Sequence, residues 1–247
     1  MDIHKPKPWH GGREFAKEVG TIVLGVLIAL AMEQAAEWAH WRQKLSDLRI
    51  AMTSELASDD APQAYTRMAI GQCMDRQLDA LQSAAEQGVS RVELAKLAKA
   101  YPASDETWDD EGWKGFLAAD GPAHMSAVEA NSWWFDYAQA TKMDQIGDDE
   151  RQAIGALRAI RPKAGPMSEP ELQDLNRAVG RLRNDNRWMV HDAAVVLGDL
   201  TYLKGSAHVP LNEAAMRRRV AGAAKDYHLK DCVVAVELIP AGLKDTP

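Results

Sequence analysis

The chain has 247 residues, 46% of them apolar, and a formal net charge of −7. The length allows one sizeable core or two small ones, and the acidic balance excludes the basic footprint that a nucleic-acid binder needs. Cys73 and Cys232 form no C-x-x-C pair, which excludes zinc-ribbon and thioredoxin-like chemistry.

The first element is a short basic tail, residues 1–14, followed by the uncharged run Val19–Met32. Fourteen residues span roughly 21 Å, less than the roughly 30 Å of a hydrocarbon core. Three readings compete. A membrane span borrows its flanks, running from Phe15 to Trp38, with Lys17 and Glu18 snorkelling and Trp9, Trp38 and Trp41 as interfacial anchors. A cleaved signal peptide uses Ala29-Leu30-Ala31 as its A-x-A site. A buried helix of a soluble protein fits the bare length. The span is favoured, because the run has no polar stripe and helix formers continue past Ala31 through Glu37 without a turn residue. On one face Thr21, Gly25 and Ala29 recur at i, i+4, i+8, with Glu33 and Glu37 beyond them. Such small-residue faces let helices approach closely in lipid, although the register also arises by chance.

Orientation rests on less. Basic residues flank the run on both sides, so the positive-inside bias is small. The N-terminal side is too short for a domain, and both cysteines lie in the large C-terminal part. The expectation is a cytoplasmic N-terminus, a signal-anchor helix at 15–38 and an extracytoplasmic domain at 39–247, with the bilayer as first partner.

Beyond the span the pattern is helical almost throughout, with helices expected at about 14–58, 62–87, 91–100, 108–119, 127–146, 149–161, 169–204 and 211–226. Capping boxes mark several starts: Ser90…Glu93, Ser126…Glu129, Ser168…Glu171 and, more weakly, Thr107…Asp110. The first helix leaves the span with Trp38, Trp41, Leu45, Leu48 and Met52 at 3-4 spacing. The long helix near the C-terminus carries a seam of Leu172, Leu175, Val179, Leu182, Asn186 and Met189, continuing to Leu203. That seam packs either antiparallel within the chain or against another chain, with Asn186 setting register. Only Cys232–Ile239 looks extended. The expected fold is all-α: an antiparallel bundle carried by a transmembrane helix, with one extended C-terminal segment. An extracytoplasmic setting favours a Cys73–Cys232 disulfide; two buried free thiols are the alternative.

The residues Glu18-Val-Gly-Thr-Ile-Val-Leu-Gly-Val-Leu-Ile-Ala-Leu30, Glu33-Gln34, Glu37-Trp38 and His40-Trp41-Arg42 resemble a group of uncharacterised bacterial single-span inner-membrane proteins. The likeness is strongest over about residues 14–56 and fainter around Cys73–Leu81 and Trp108–Met125. It implies a basic tail, a span and a helical periplasmic domain, and supplies no activity or catalytic residues.

No hydrolase elbow, zincin, Walker or dinucleotide motif is present, so neither catalytic residues nor a cofactor or metal site is expected. The acidic runs Asp109-Asp110-Glu111 and Asp148-Asp149-Glu150 read as helix starts that complement the macrodipole. Trp108, Trp113, Phe116, Trp133, Trp134 and Tyr137 crowd into one stretch, mostly as core. Trp133 and Trp134 lie about 100° apart on a helix, so one of them faces away from the local core. Trp113, Phe116, Trp133, Trp134 and Tyr137 therefore mark a candidate binding surface. The function expected is a non-enzymatic, membrane-anchored interaction or structural subunit, acting on a membrane-protein partner or on itself. The alternative is an extracytoplasmic ligand sensor that signals through a partner membrane protein.

Overall fold

The computed structural model describes residues 11–102, 107–202, 211–229 and 232–236. Trp9, Leu203 of the seam and residues 237–239 of the extended segment lie outside them. The chain divides into two units, residues 1–47 and 48–247. The fold is all-α.

Helix α1 covers Gly12–Glu55. In the first unit its apolar residues face outward on every side, with Ile22 61%, Leu24 58%, Leu27 57% and Leu30 50% exposed. An eighteen-residue window has mean hydropathy 1.9 and none of it is buried, so this helix is long and apolar enough to cross a membrane. Farther along, the Arg42 guanidinium sits 5.3 Å from the Trp38 ring and the Lys44 ammonium 4.4 Å from the Trp41 ring. Each tryptophan thus has a cation over its ring, a pairing suited to an interface that is half wet.

The second unit is built around α2, Ala61–Glu86, with α3 at Arg91–Ala100, α4 at Glu111–Ala118, α5 at Ala127–Arg158, α6 at Glu169–Tyr202 and α7 at Glu213–Asp226. A 3₁₀ turn at Gly121–His124 separates α4 from α5. The serine caps form as expected. The Ser90 and Ser126 hydroxyls accept from the amides of Glu93 and Glu129, and the Glu171 carboxylate accepts from both the amide and hydroxyl of Ser168. The weaker box at Thr107 does not form: α4 begins after Asp110, whose side chain makes no capping bond. Helix α2 ends in a Schellman motif, with Gly88 at φ 69° and its amide bonded to Ala85 O, while the Val89 amide reaches Ala84 O.

Helices α2 and α6 pack antiparallel. Asn186 donates to Gly71 O and to Asp75, and Arg183 reaches Asp79 farther up α2. The axes approach closely at Gly71, where an added Cβ would lie 2.4 Å from Val190 Cγ2. Helices α5, α3 and α7 complete the enclosure, so α2 is buried on most sides. The seam residues Leu175, Val179, Leu182, Asn186 and Met189 are all buried within the chain, and Leu172 is half-buried. Along these residues the seam therefore packs antiparallel within the chain.

Two helix breaks suggested by the sequence are absent. The chain passes from α1 to α2 through a π-helical turn, Leu56–Asp60, in which the Ala61 amide bonds Leu56 O. The wider turn relieves the clash that Pro62 would impose on a regular helix. Likewise α5 does not stop near residue 147. Its buried stripe of Trp133, Tyr137, Ala140, Met143, Gly147, Glu150, Ile154 and Leu157 keeps helical spacing through the glycine, and packing outweighs a propensity cost of about 1 kcal/mol. The run Asp148–Glu150 thus lies inside a helix and caps nothing.

Cys73 and Cys232 are joined by a disulfide, with Cα atoms 5.2 Å apart across 159 residues of sequence. The α7 terminus prepares this link. His228 adopts φ 58° and the Leu229 amide returns to Ala224 O, a second Schellman turn that aims the chain at α2. Residues 232–236 then run along α2 without forming a strand, the Val234 amide bonding Ala69 O and the Tyr65 hydroxyl donating to Val236 O.

Candidate functional site

The densest group of buried polar atoms surrounds the π-helical turn. Asp60 is wholly buried, and neither of its carboxyl oxygens has a hydrogen-bond partner among the described residues. Burial pushes its pKa up to about 8; the neighbouring Asp109 backbone opposes the rise, while Glu55, Asp109 and Asp59 add to it by charge. Glu55 accepts from the Gly112 amide at 2.8 Å, so a carboxylate from α1 satisfies an orphan donor in the first turn of α4. Its other oxygen is unpartnered, as are Gln63 Oε1 and Trp108 Nε1. Gln63 fixes the chain before α4 by donating to Thr107 O at 2.8 Å. The Tyr137 hydroxyl donates to Met52 O, and burial followed by the Glu55 charge holds it protonated far above the usual phenol range.

Burial favours the neutral form of Asp60, because an ionised carboxylate taken out of water is costly. Asp60 was legible only indirectly: Met52, Leu56, Asp60 and Ala64 recur every four residues, which puts an acid at a core position. The same signal marks Arg67, which the stripe Gln63, Arg67, Met74, Leu78 and Leu81 carries inward. Arg67 makes a bidentate pair with Glu150 at 3.0 and 2.5 Å, with exposures of 2% and 0%. Tyr101 lies buried within their field, its hydroxyl pushed up chiefly by burial. Asp136 on α5 faces Asp199 on α6; burial raises Asp136 to about 7, and the Asp199 charge contributes.

The residues singled out from the sequence fall into separate places. Thr21, Gly25, Ala29 and Glu33 lie on one exposed face of α1; an added Cβ at Gly25 would meet nothing within 4 Å. The Thr21 hydroxyl is turned back onto Lys17 O at 2.9 Å. Trp38 is exposed and Trp41 half-buried. The aromatic group is mostly core. Phe116, Trp133 and Tyr137 are buried, and Trp113 is half-buried and stacked on Phe116 and Tyr137 at 5.2 and 5.7 Å. They do not form a binding surface as a set, because α4 folds back onto α5 and covers them. Trp133 is 2% and Trp134 57% exposed, so one of the two does face away from the core. Val128 and Phe135 lie on one outer side of α5 and Trp134 on another, and Trp188 stands out from α6 beside Lys142, 4.7 Å from its ring.

A cavity of about 340 Å³ opens elsewhere, between the start of α3, the end of α5 and the first turns of α6. Among the described residues no three His, Cys, Asp or Glu side chains are grouped to hold a metal ion. Comparison of the chain with models of protein families, with curated proteins and with solved structures gives no match.

Proposed function

We propose that this chain is a non-enzymatic interaction or structural subunit of a bacterial envelope assembly, anchored in the inner membrane by residues 15–38. Its N-terminus lies in the cytoplasm and residues 39–247 in the periplasm. The observation that carries the reading is the α1 helix, whose apolar window is entirely unburied and presents Thr21, Gly25 and Ala29 along one open face. A helix that only tethers needs no such face, whereas a packing helix does. The disulfide supports an oxidising compartment, and the resemblance of residues 14–56 to single-span inner-membrane proteins supports the same topology. Outward Trp134, Phe135 and Trp188 give the second unit apolar anchors of the kind that dominate protein contacts.

Photo-crosslinking in native membranes tests this. A photoreactive residue at Gly25 or Ala29 is expected to trap one defined product, a second copy or a partner, while one at Val23 or Leu27 on the opposite side traps lipid. Equal trapping from both sides, or none from either, overturns the proposal.

A second reading, a periplasmic ligand sensor coupled to a partner membrane protein, is favoured by one observation. The cavity beside α3 has a volume within the range of small-molecule sites.

A further inference from the structure

The cavity beside α3 is formed by local chain geometry. Helix α5 ends at Arg158, residues 159–168 turn, and α6 starts with its first turn facing the N-terminus of α3. Arg91 ties the parts together, donating to Pro166 O at 3.0 Å and pairing with Glu171. The walls contain both apolar and charged groups: Ile160, Met167 and Leu175 among the former, Arg161 and Lys163 among the latter.

The charges do not cancel. Of the two carboxylates in the wall, Glu171 is already occupied by Ser168 and Arg91; the Ser168 donors come first in holding its carboxyl below the usual range. Asp174 pairs with Arg177 at 2.8 Å. Arg161 and Lys163 have no ion-pair or hydrogen-bond partner among the described residues. A partly apolar hollow, with two cations that have no partner among the described residues and two acids each paired with an arginine, complements an anion attached to a compact apolar body. A free inorganic ion would leave the apolar wall wet, and a neutral apolar molecule would leave the cations unanswered.

We propose that this cavity binds a small organic anion, a carboxylate or phosphate monoester with an apolar body, whose charged head meets Arg161 and Lys163. The proposal deepens the ligand-sensing reading and names the ligand class.

The test uses the full chain in nanodiscs of neutral phosphatidylcholine, titrated calorimetrically with phenyl phosphate, benzoate, phenol and inorganic phosphate. Phenyl phosphate or benzoate is expected to bind with a Kd on the order of 0.1–1 mM, in keeping with about ten heavy atoms. Phenol and inorganic phosphate bind at least about tenfold more weakly, because each supplies only half the complementarity. Arg161→Ala with Lys163→Ala lowers affinity about tenfold or more. Ala156 is an exposed residue of the wall, so Ala156→Phe fills the hollow without entering the core and abolishes binding. The proposal is overturned by no binding of either anion at about 10 mM, by binding that survives both variants, or by inorganic phosphate matching phenyl phosphate. Ala156→Phe leaves the span crosslinks unchanged, so failure here is separable from failure of the interaction reading.

Discussion

Asp60 shows how one side chain sets a property of the whole domain. An unfolded aspartate releases its proton near pH 4, whereas folded Asp60 keeps it to about pH 8. Between those values the folded state binds one more proton than the unfolded state, so stability falls as pH rises. Asp136 adds the same sign up to about pH 7. The groups facing Asp60 are Glu55 from α1, Asp59 beside it, Asp109 before α4 and Tyr137 from α5, and none is cationic. The melting midpoint is therefore expected to fall from pH 5 to pH 8. Asp60→Asn flattens the slope and makes the variant the more stable protein at pH 8. A midpoint that rises over this interval, or a variant with the parental slope, contradicts the assignment. At this scale the sequence was only partly legible. The opposition of Trp133 and Trp134 follows from the 100° step of a helix. Glu150 looked like part of a helix start because three acids in a row resemble a cap, yet its side chain turns inward to Arg67.

At the scale of elements, local chemistry predicts starts better than it predicts continuity. Ser90, Ser126 and Ser168 mark helix starts because a hydroxyl or a glutamate answers orphan amides locally. Whether a helix survives Pro62 or Gly147 depends on tertiary burial, which no local signal reports. Gly71 makes the same point quantitatively. Alanine favours a helix over glycine by about 1 kcal/mol, so Gly71→Ala would stabilise α2 if propensity decided. The added methyl instead meets Val190 Cγ2 at 2.4 Å, and valine has little rotamer freedom with which to yield. Overpacking of this kind costs about 1–3 kcal/mol, so Gly71→Ala is expected to destabilise on balance. Val190→Ala opens the space, and the Gly71→Ala/Val190→Ala pair should recover most of the loss. Thermal unfolding of the four proteins in a double-mutant cycle gives the coupling; strict additivity would mean that the helices separate there without cost.

For the whole molecule, the disulfide links topology to stability. Cys73 lies in the middle of α2 and Cys232 beyond α7, so the bond holds the C-terminal segment against the central helix. The sequence suggested the pair from compartment alone, and the structure adds what makes it reachable: the His228 turn and the hydrogen bond from the Val234 amide to Ala69 O. Closing so long a loop removes unfolded-state entropy, and native disulfides of this type contribute about 2–5 kcal/mol. Cys73→Ala/Cys232→Ala is therefore expected to unfold at lower temperature, with amide protection lost first at Val234, whose hydrogen bond to Ala69 depends on the segment staying docked. Retention of that protection in the variant would show that side-chain packing alone holds the segment. The same bond reports on compartment. A thiol pair facing the cytoplasm stays reduced, whereas one facing the periplasm is oxidised as the chain folds. Alkylation of intact cells followed by non-reducing mass analysis is thus expected to find neither cysteine labelled. Two alkylated thiols would remove both the bridge and the support it gives to the proposed orientation of residues 39–247.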